Sequence, residues 1–180
     1  MSSHVALPGP DSTPYNDYAS LLRKSFGGRV QKLSVDAGFS CPNRDGTRGR
    51  GGCAYCTKAS FVPGYCDPAT PIAAQIDAGI EFFRWKYPDQ RYLVYFQAAS
   101  NTYGDAAVLE NLFEQALAHP GVVGLVVGTR PDTISETALQ VLAAYARRTW
   151  LSVELGIEST LDRTLDRIGR GHGWDAVVQA

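Results

Sequence analysis

The sequence predicts an α/β protein organised round a parallel sheet, and three observations carry that expectation. The stretches "RYLVYFQ" (91–97), "GVVGLVVGT" (121–129) and "TWLSVELGIES" (149–159) are apolar with little alternation, the pattern of strands covered on both faces. Between them lie segments of 10–15 residues whose apolar positions recur at helical spacing. Strand and helix then alternate from residue 30 towards the end of the chain, the signature of right-handed βαβ units.

The elements follow in order. Residues 1–27 read as an N-terminal tail and a short helix, "YNDYASLLRKSFGG", ended by Gly27-Gly28; the polar, proline-containing first dozen residues are expected to be mobile. Residues 28–180 form the core domain. Its first strand is "RVQKLSVDAG", with Val30, Leu33 and Val35 among polar neighbours. After the cysteine loop, Thr70 is expected to cap a helix with Pro71 at its first position, and Ile72, Ile76, Ile80 and Phe83 line one face before Pro88. In "DAAVLENLFEQALAH" the inward residues are expected to be Val108, Leu109, Leu112, Phe113 and Ala116. Asp132 or Thr133 is expected to cap "ISETALQVLAAYARR", and "TLDRTLDRIG" opens a further helix. Four βα units fall short of a closed eight-stranded barrel or a typical open doubly wound sheet. Because "GRGHGWDAVVQA" reads as a helix with no strand after it, the expectation is a piece of a longer protein, poorly soluble or self-associating through an unpaired edge on the fourth strand.

Composition bounds the function. The chain has 180 residues, 44% of them hydrophobic, enough for one domain. No stretch approaches the roughly 18 apolar residues of a membrane helix, and "MSSHVALPGP" lacks a signal peptide's basic and apolar regions. A cytoplasmic protein without membrane contact is expected, and in a reducing compartment Cys41, Cys53, Cys56 and Cys66 argue for metal binding or catalysis over disulfides. Residues 1–60 carry eight basic and four acidic residues, and the remainder nine basic and fourteen acidic. That gradient would suit an anionic cofactor or a phosphate backbone near the cysteines, or be solvated surface.

The sharpest signal is "AGFSCPNRDGTRGRGGCAYCTKASF" (37–61). Cys41 and Cys53 are separated by eleven residues, Cys53 and Cys56 by two, the tight spacing that points two sulfurs at one metal or cluster. Gly46, Gly49, Gly51 and Gly52 let the backbone wrap closely, and the nearby arginines, Arg44, Arg48 and Arg50, favour thiolate over thiol. Two readings remain open on spacing alone. A structural zinc would have to recruit Cys66 or a histidine to close a tetrahedron, giving a zinc-stabilised nucleic-acid-binding module without catalysis. An iron–sulfur cluster on three thiolates would leave one iron free for a small molecule.

Together "VDAGFSCPNRDGTRGRGGCAYC", "YFQAASNTYG", "GTRPDTIS", "ELGIEST" and "TLDRIGRGHG", in this order from about residue 28 to residue 173, resemble the radical S-adenosylmethionine (radical SAM) superfamily, specifically the YhcC-like branch related to the radical SAM domain of the elongator catalytic subunit. The eleven-residue first gap departs from the three residues common in the superfamily and resembles this branch. The resemblance implies a partial TIM-like (β/α) barrel, with about four βα units of an expected six present. It implies that Cys41, Cys53 and Cys56 bind a [4Fe–4S] cluster whose unique iron chelates S-adenosyl-L-methionine. Reductive cleavage would then yield a 5′-deoxyadenosyl radical that abstracts a substrate hydrogen. A transfer RNA wobble uridine is the substrate class it suggests, with an electron donor such as flavodoxin or ferredoxin; acetyl transfer, the work of that relative's further domain, is not expected.

The same resemblance assigns cofactor contacts. Tyr55 matches an aromatic position beside adenine, or packs the loop onto the barrel. Gln97, Ser100, Asn101 and Thr102 follow the second strand, where methionyl-amine ligands lie, although the usual acidic version of that motif is absent. Glu154 would hold the ribose or form a salt bridge with Arg130, and Arg130 itself would bind an anion or shape the turn before Pro131. His172 lies between glycines in a loop expected to be mobile and able to reach a substrate. His4 and His119 read as tail and helix-end residues, and Trp85, Trp150 and Trp174 as packing residues. Cys66 has no assigned role.

Overall fold

The four strands of the computed structural model, β1 (Val30–Val35), β2 (Arg91–Phe96), β3 (Val122–Thr129) and β4 (Trp150–Leu155), pair in parallel in the order β1-β2-β3-β4. The described residues are Tyr15, 17–57, 62–87 and 89–180; the expected mobile tail, His4, Lys58 and Pro88 lie outside them. Helices α2 (Ile72–Arg84), α3 (Ala106–Leu117) and α4 (Glu136–Ala146) connect successive strands, so the expected alternation is present and consistent with part of a β/α barrel. A helix α1 (Tyr18–Phe26) precedes β1, and two short helices, α5 (Asp162–Arg167) and α6 (Trp174–Gln179), follow β4. Among the described residues no helix is long and apolar enough to cross a membrane.

The two sheet faces bury different partners. Leu33, Val35, Val94, Phe96, Leu125 and Val127 pack under α2, α3 and α4, meeting Ile76, Leu109, Phe113, Leu142 and Tyr145. Phe113 stands at the centre, 5.3 Å from Phe96 and 5.1 Å from Tyr145 between ring centroids, and burial of such a side chain contributes about 1.5–3 kcal/mol. On the other face Leu93 and Val126 meet Leu22 and Phe26 of α1, with Trp150 edge-on to Phe26 at 5.4 Å. Helix α1 therefore covers part of the face that the connecting helices leave open. Asp17 caps it by accepting from the Ser20 N–H at 2.8 Å, and Gly27, at φ 69°, ends it in the left-handed region that glycine tolerates.

Four local expectations need correction. The second helix begins at Ile72 with Pro71 as its cap residue, and Thr70 makes no capping bond. The buried Gln75 amide donates to the carbonyls of Thr70, Asp67 and Asp36 and accepts from the Asp36 N–H, which holds Thr70 in the loop. Val108 is half exposed, because one helical step from Leu109 rotates it off the inward stripe. Ser135, accepting from the Ala138 N–H, caps α4, since Asp132 is taken by Arg130 in a short 3-10 turn, Pro131–Thr133. Trp85 stands almost fully exposed just past α2 and packs no core.

Candidate functional site

The cysteine loop begins six residues beyond β1, at the C-terminal end of the sheet. Its backbone closes on itself: the N–H groups of Arg44 and Asp45 donate to Cys41 O, those of Arg48 and Gly49 to Pro42 O, and Gly52 N–H to Asn43 O. Gly52 sits at φ 79°, and a Cβ there would press on the Arg44 guanidinium at 3.0 Å, so the glycine admits both the turn and the arginine.

The segment after α5 supports the loop from below. Ala54 N–H donates to Ile168 O at 2.9 Å, the Asn43 amide to Gly169 O and Arg170 O, and Arg48 to Gly171 O. Gly171 is left-handed at φ 77°, and any Cβ on it would collide with the Asn43 side chain.

Above this support lies a cavity of about 350 Å³, within the usual range of small-molecule sites. Cys41, Cys53 and Cys56 line one side with Arg44, Arg130 and Arg170. The ends of the strands supply the other side: Tyr95, Gln97 and Ser100 from β2 and its loop, Thr129 from β3, Glu154 and Gly156 from β4, and Glu158 beyond. Ala99 and Glu158, both on this wall, are the two non-glycine residues with left-handed backbone among those described, at φ 62° and 67°.

Each of the three sulfurs has its own guanidinium. Arg44 Nη2 lies 3.4 Å from Cys56 Sγ, Arg130 Nη1 3.8 Å from Cys41 Sγ, and Arg170 Nη1 3.7 Å from Cys53 Sγ. Cys53 also accepts from the Asn43 amide at 3.3 Å. Burial raises the pKa of the Cys53 thiol, but the Arg170 and Asn43 donors outweigh it and hold the thiol below its ordinary value. Such donors suit thiolates that carry negative charge to a metal centre.

The cavity also takes in two carboxylates, Glu154 and Glu158. Glu154 does not pair with Arg130: it binds Lys32 Nζ at 2.5 Å, and Tyr95 Oη donates to it at 2.6 Å. Burial raises its pKa, yet these two donors prevail and keep its carboxyl below the usual carboxylate range. Tyr95 is shifted upward by burial and by that same carboxylate.

Of the residues predicted from the sequence, Tyr55, Gln97, Ser100 and Glu154 reach the cavity with the three cysteines. Tyr55 Oη accepts from Arg170 at 3.3 Å, and Gln97 accepts from Ser34 Oγ at 3.0 Å. Ser100 Oγ is buried on the wall without a hydrogen-bond partner among the described residues. Asn101 and Thr102 do not line the cavity. The Asn101 amide is used by Phe96 O and Gly128 O, and Thr102 Oγ1 shares hydrogen bonds with Thr129 and Thr133, so both join β2 to β3.

His172 does not line the cavity. It is buried, accepts from Arg170 Nε at 3.1 Å, and lies 3.8 Å from Asp132. Burial holds its pKa below the ordinary histidine value. Arg130 is held bidentately by Asp132 at 2.8 and 2.9 Å and donates to Arg170 O. Sequence reasoning missed Arg170 and the Lys32–Glu154–Tyr95 cluster, whereas Arg44 is one of the arginines near the cysteines expected to favour thiolate. The signals were the arginine flanked by glycines in "GRGHG" and the lone lysine within a strand.

Cys66 stays outside the cavity, donating to Ser34 O at 3.0 Å; burial pushes its thiol from 9.0 up to about 11. Two pH units correspond to about a 100-fold smaller thiolate fraction near neutrality. At pH 8 iodoacetamide should therefore label Cys66 about 100-fold more slowly than an ordinary free thiol, as read by peptide mass mapping; labelling at the ordinary rate would contradict this burial.

Among the described residues no three histidine, cysteine or acidic side chains converge as ligands for a single metal ion. No family model matches this chain. It is 41% identical over 160 residues to protein YhcC of Escherichia coli, which covers 87% of this chain and 50% of that protein. To the uncharacterized protein YtqA of Bacillus subtilis it is 37% identical over 175 residues, 96% of this chain and 54% of the relative. An archaeal relative, the uncharacterized protein MJ0486 of Methanocaldococcus jannaschii, is 29% identical over 169 residues, 92% and 51% respectively. The chain is thus similar to proteins from bacteria and an archaeon, and spans about half the length of the curated relatives it matches.

Proposed function

We propose that this chain is part of a radical SAM enzyme, in which Cys41, Cys53 and Cys56 hold a [4Fe–4S] cluster and the cavity beside them takes S-adenosylmethionine. One observation carries the reading: the three thiols of the sequence motif line a single cavity, each with a guanidinium within 3.4–3.8 Å of its sulfur. The unpartnered Ser100 hydroxyl on the same wall is a polar group for which a bound molecule would supply the partner.

When bound, the cluster supplies the electron for reductive cleavage of S-adenosylmethionine. The chain's residues bind and orient. Arg44, Arg130 and Arg170 each place a guanidinium beside one sulfur, and Tyr55 offers its ring beside the third cysteine for stacking. Glu154, kept ionised by Lys32 and Tyr95, offers a carboxylate for hydroxyl donors of a ribose. The proposed substrate is transfer RNA and the proposed electron donor a flavodoxin or ferredoxin; Arg48 and Arg50, exposed on the cysteine loop, are suited to phosphates. The test is anaerobic reconstitution with iron and sulfide, then dithionite reduction with S-adenosylmethionine and chromatography for 5′-deoxyadenosine. Product is expected. One tightly bound zinc with no iron–sulfur uptake would instead support a zinc-stabilised nucleic-acid-binding module.

A further inference from the structure

We infer that Arg170 is a positioning residue that sets the reduction potential of the metal centre on Cys41, Cys53 and Cys56, an inference that rests on the proposed cluster. Its guanidinium is fixed on every side. Nε donates to His172 Nε2 at 3.1 Å, Nη1 faces Cys53 Sγ and Tyr55 Oη, and Nη2 donates to Gly156 O at 2.5 Å. Because His172 Nε2 accepts from Arg170, its Nδ1 carries the proton and faces Gly173 O at 3.0 Å, which fixes the imidazole in turn.

The three guanidiniums at the sulfurs differ in how far their charge is cancelled. Arg130 is buried but matched by the bidentate Asp132 carboxylate. Arg44 is partly exposed, so solvent screens it. Arg170 is 7% exposed, and its nearest carboxylate, Glu158, is 4.0 Å away and itself 32% exposed. Arg170 therefore brings the least compensated buried positive charge to a sulfur. A cluster gains one negative charge on reduction, and a nearby cation with an N–H directed at a ligand sulfur favours the reduced state. The charge comes from the segment after α5, 117 residues beyond Cys53 in the chain, so folding of that segment determines the electronics of the loop.

The test is a redox titration monitored by electron paramagnetic resonance, on the reconstituted chain without S-adenosylmethionine. In Arg170→Gln the ratio of reduced to oxidised cluster at a fixed potential is expected to fall about tenfold, a shift of about 59 mV to more negative potential for one electron. Arg170→Lys, which keeps the charge but loses the planar fork, is expected to shift the same way by less. If the glutamine variant takes up too little iron to titrate, the lysine variant decides. A wild-type potential in a fully loaded variant overturns the role of Arg170, since a purely structural arginine would change loading or thermal stability and leave the potential alone. Failure of the wild type to take up iron and sulfide overturns the cluster itself.

Discussion

Cys53→Ala is expected to retain less than about a tenth of the wild-type iron and sulfide after anaerobic reconstitution, whereas Cys66→Ala retains the full amount. Loss of even an outer partner of a metal ligand weakens affinity by about 10–100-fold, and loss of a thiolate ligand removes more. Cys53 is the most buried of the three and receives both the Asn43 amide and the Arg170 guanidinium. The apo fold should survive the change. Asn43 keeps Gly169 O and Arg170 O as acceptors, and Arg170 keeps Gly156 O and His172, so thermal stability is expected to fall by only about 1 kcal/mol. Chemical iron and sulfide analysis, paired with thermal unfolding of the apo chain, separates loss of a ligand from loss of fold. If Cys66→Ala loses the metal as completely as Cys53→Ala, a four-thiolate site is indicated and the three-cysteine assignment fails.

The largest effect on stability is expected at Gly124, far from the cysteines. A Cβ on this β3 residue would lie 2.5 Å from Trp150 O, 2.7 Å from Trp150 Cβ and 2.9 Å from Leu93 Cδ2. All three atoms belong to the neighbouring strands, and the two of Trp150, its carbonyl oxygen and Cβ, are fixed by the β4 backbone and cannot rotate away, so β4 must move. Trp150 would carry Phe26 with it and loosen α1 over the open face of the sheet. Gly124→Ala is therefore expected to cost about 3 kcal/mol, the upper part of the overpacking range, and to lower the melting temperature by roughly 6–12 °C. Gly128→Ala is the control on the same strand. Its nearest contacts would be Phe96 O at 3.3 Å and the Tyr95 ring at 3.4 Å, so a loss of about 1 kcal/mol or less is expected. Equal melting temperatures for the two variants, measured by circular dichroism, would refute this account of the β3–β4 contact.

Four strands, their parallel alternation with helices and the apolar stripe of α2 were legible from the sequence, because period and burial are local properties of a segment. The cysteine loop was legible for the same reason: its spacing and glycines restrict what the backbone can do whatever surrounds it. Helix starts were less legible. Thr70 and Asp132 are good caps in isolation, but Gln75, anchored to Asp36 39 residues away, also binds the Thr70 carbonyl, and Arg130, two residues before Asp132, takes its carboxylate.

The site shows the same division. The sequence alone placed the candidate ligands Cys41, Cys53 and Cys56 within sixteen consecutive residues, since spacing along the chain is a local property. Only the tertiary structure decided what faces them. It brought Arg130 and Arg170 to separate sulfurs, buried His172 beneath one of them, gave Glu154 to Lys32 and Tyr95, and turned Asn101 and Thr102 towards the β2–β3 seam. The physical reason is that charge acts through space: a guanidinium 117 residues beyond Cys53 in the chain acts on its sulfur once the sheet and its loops set the distance.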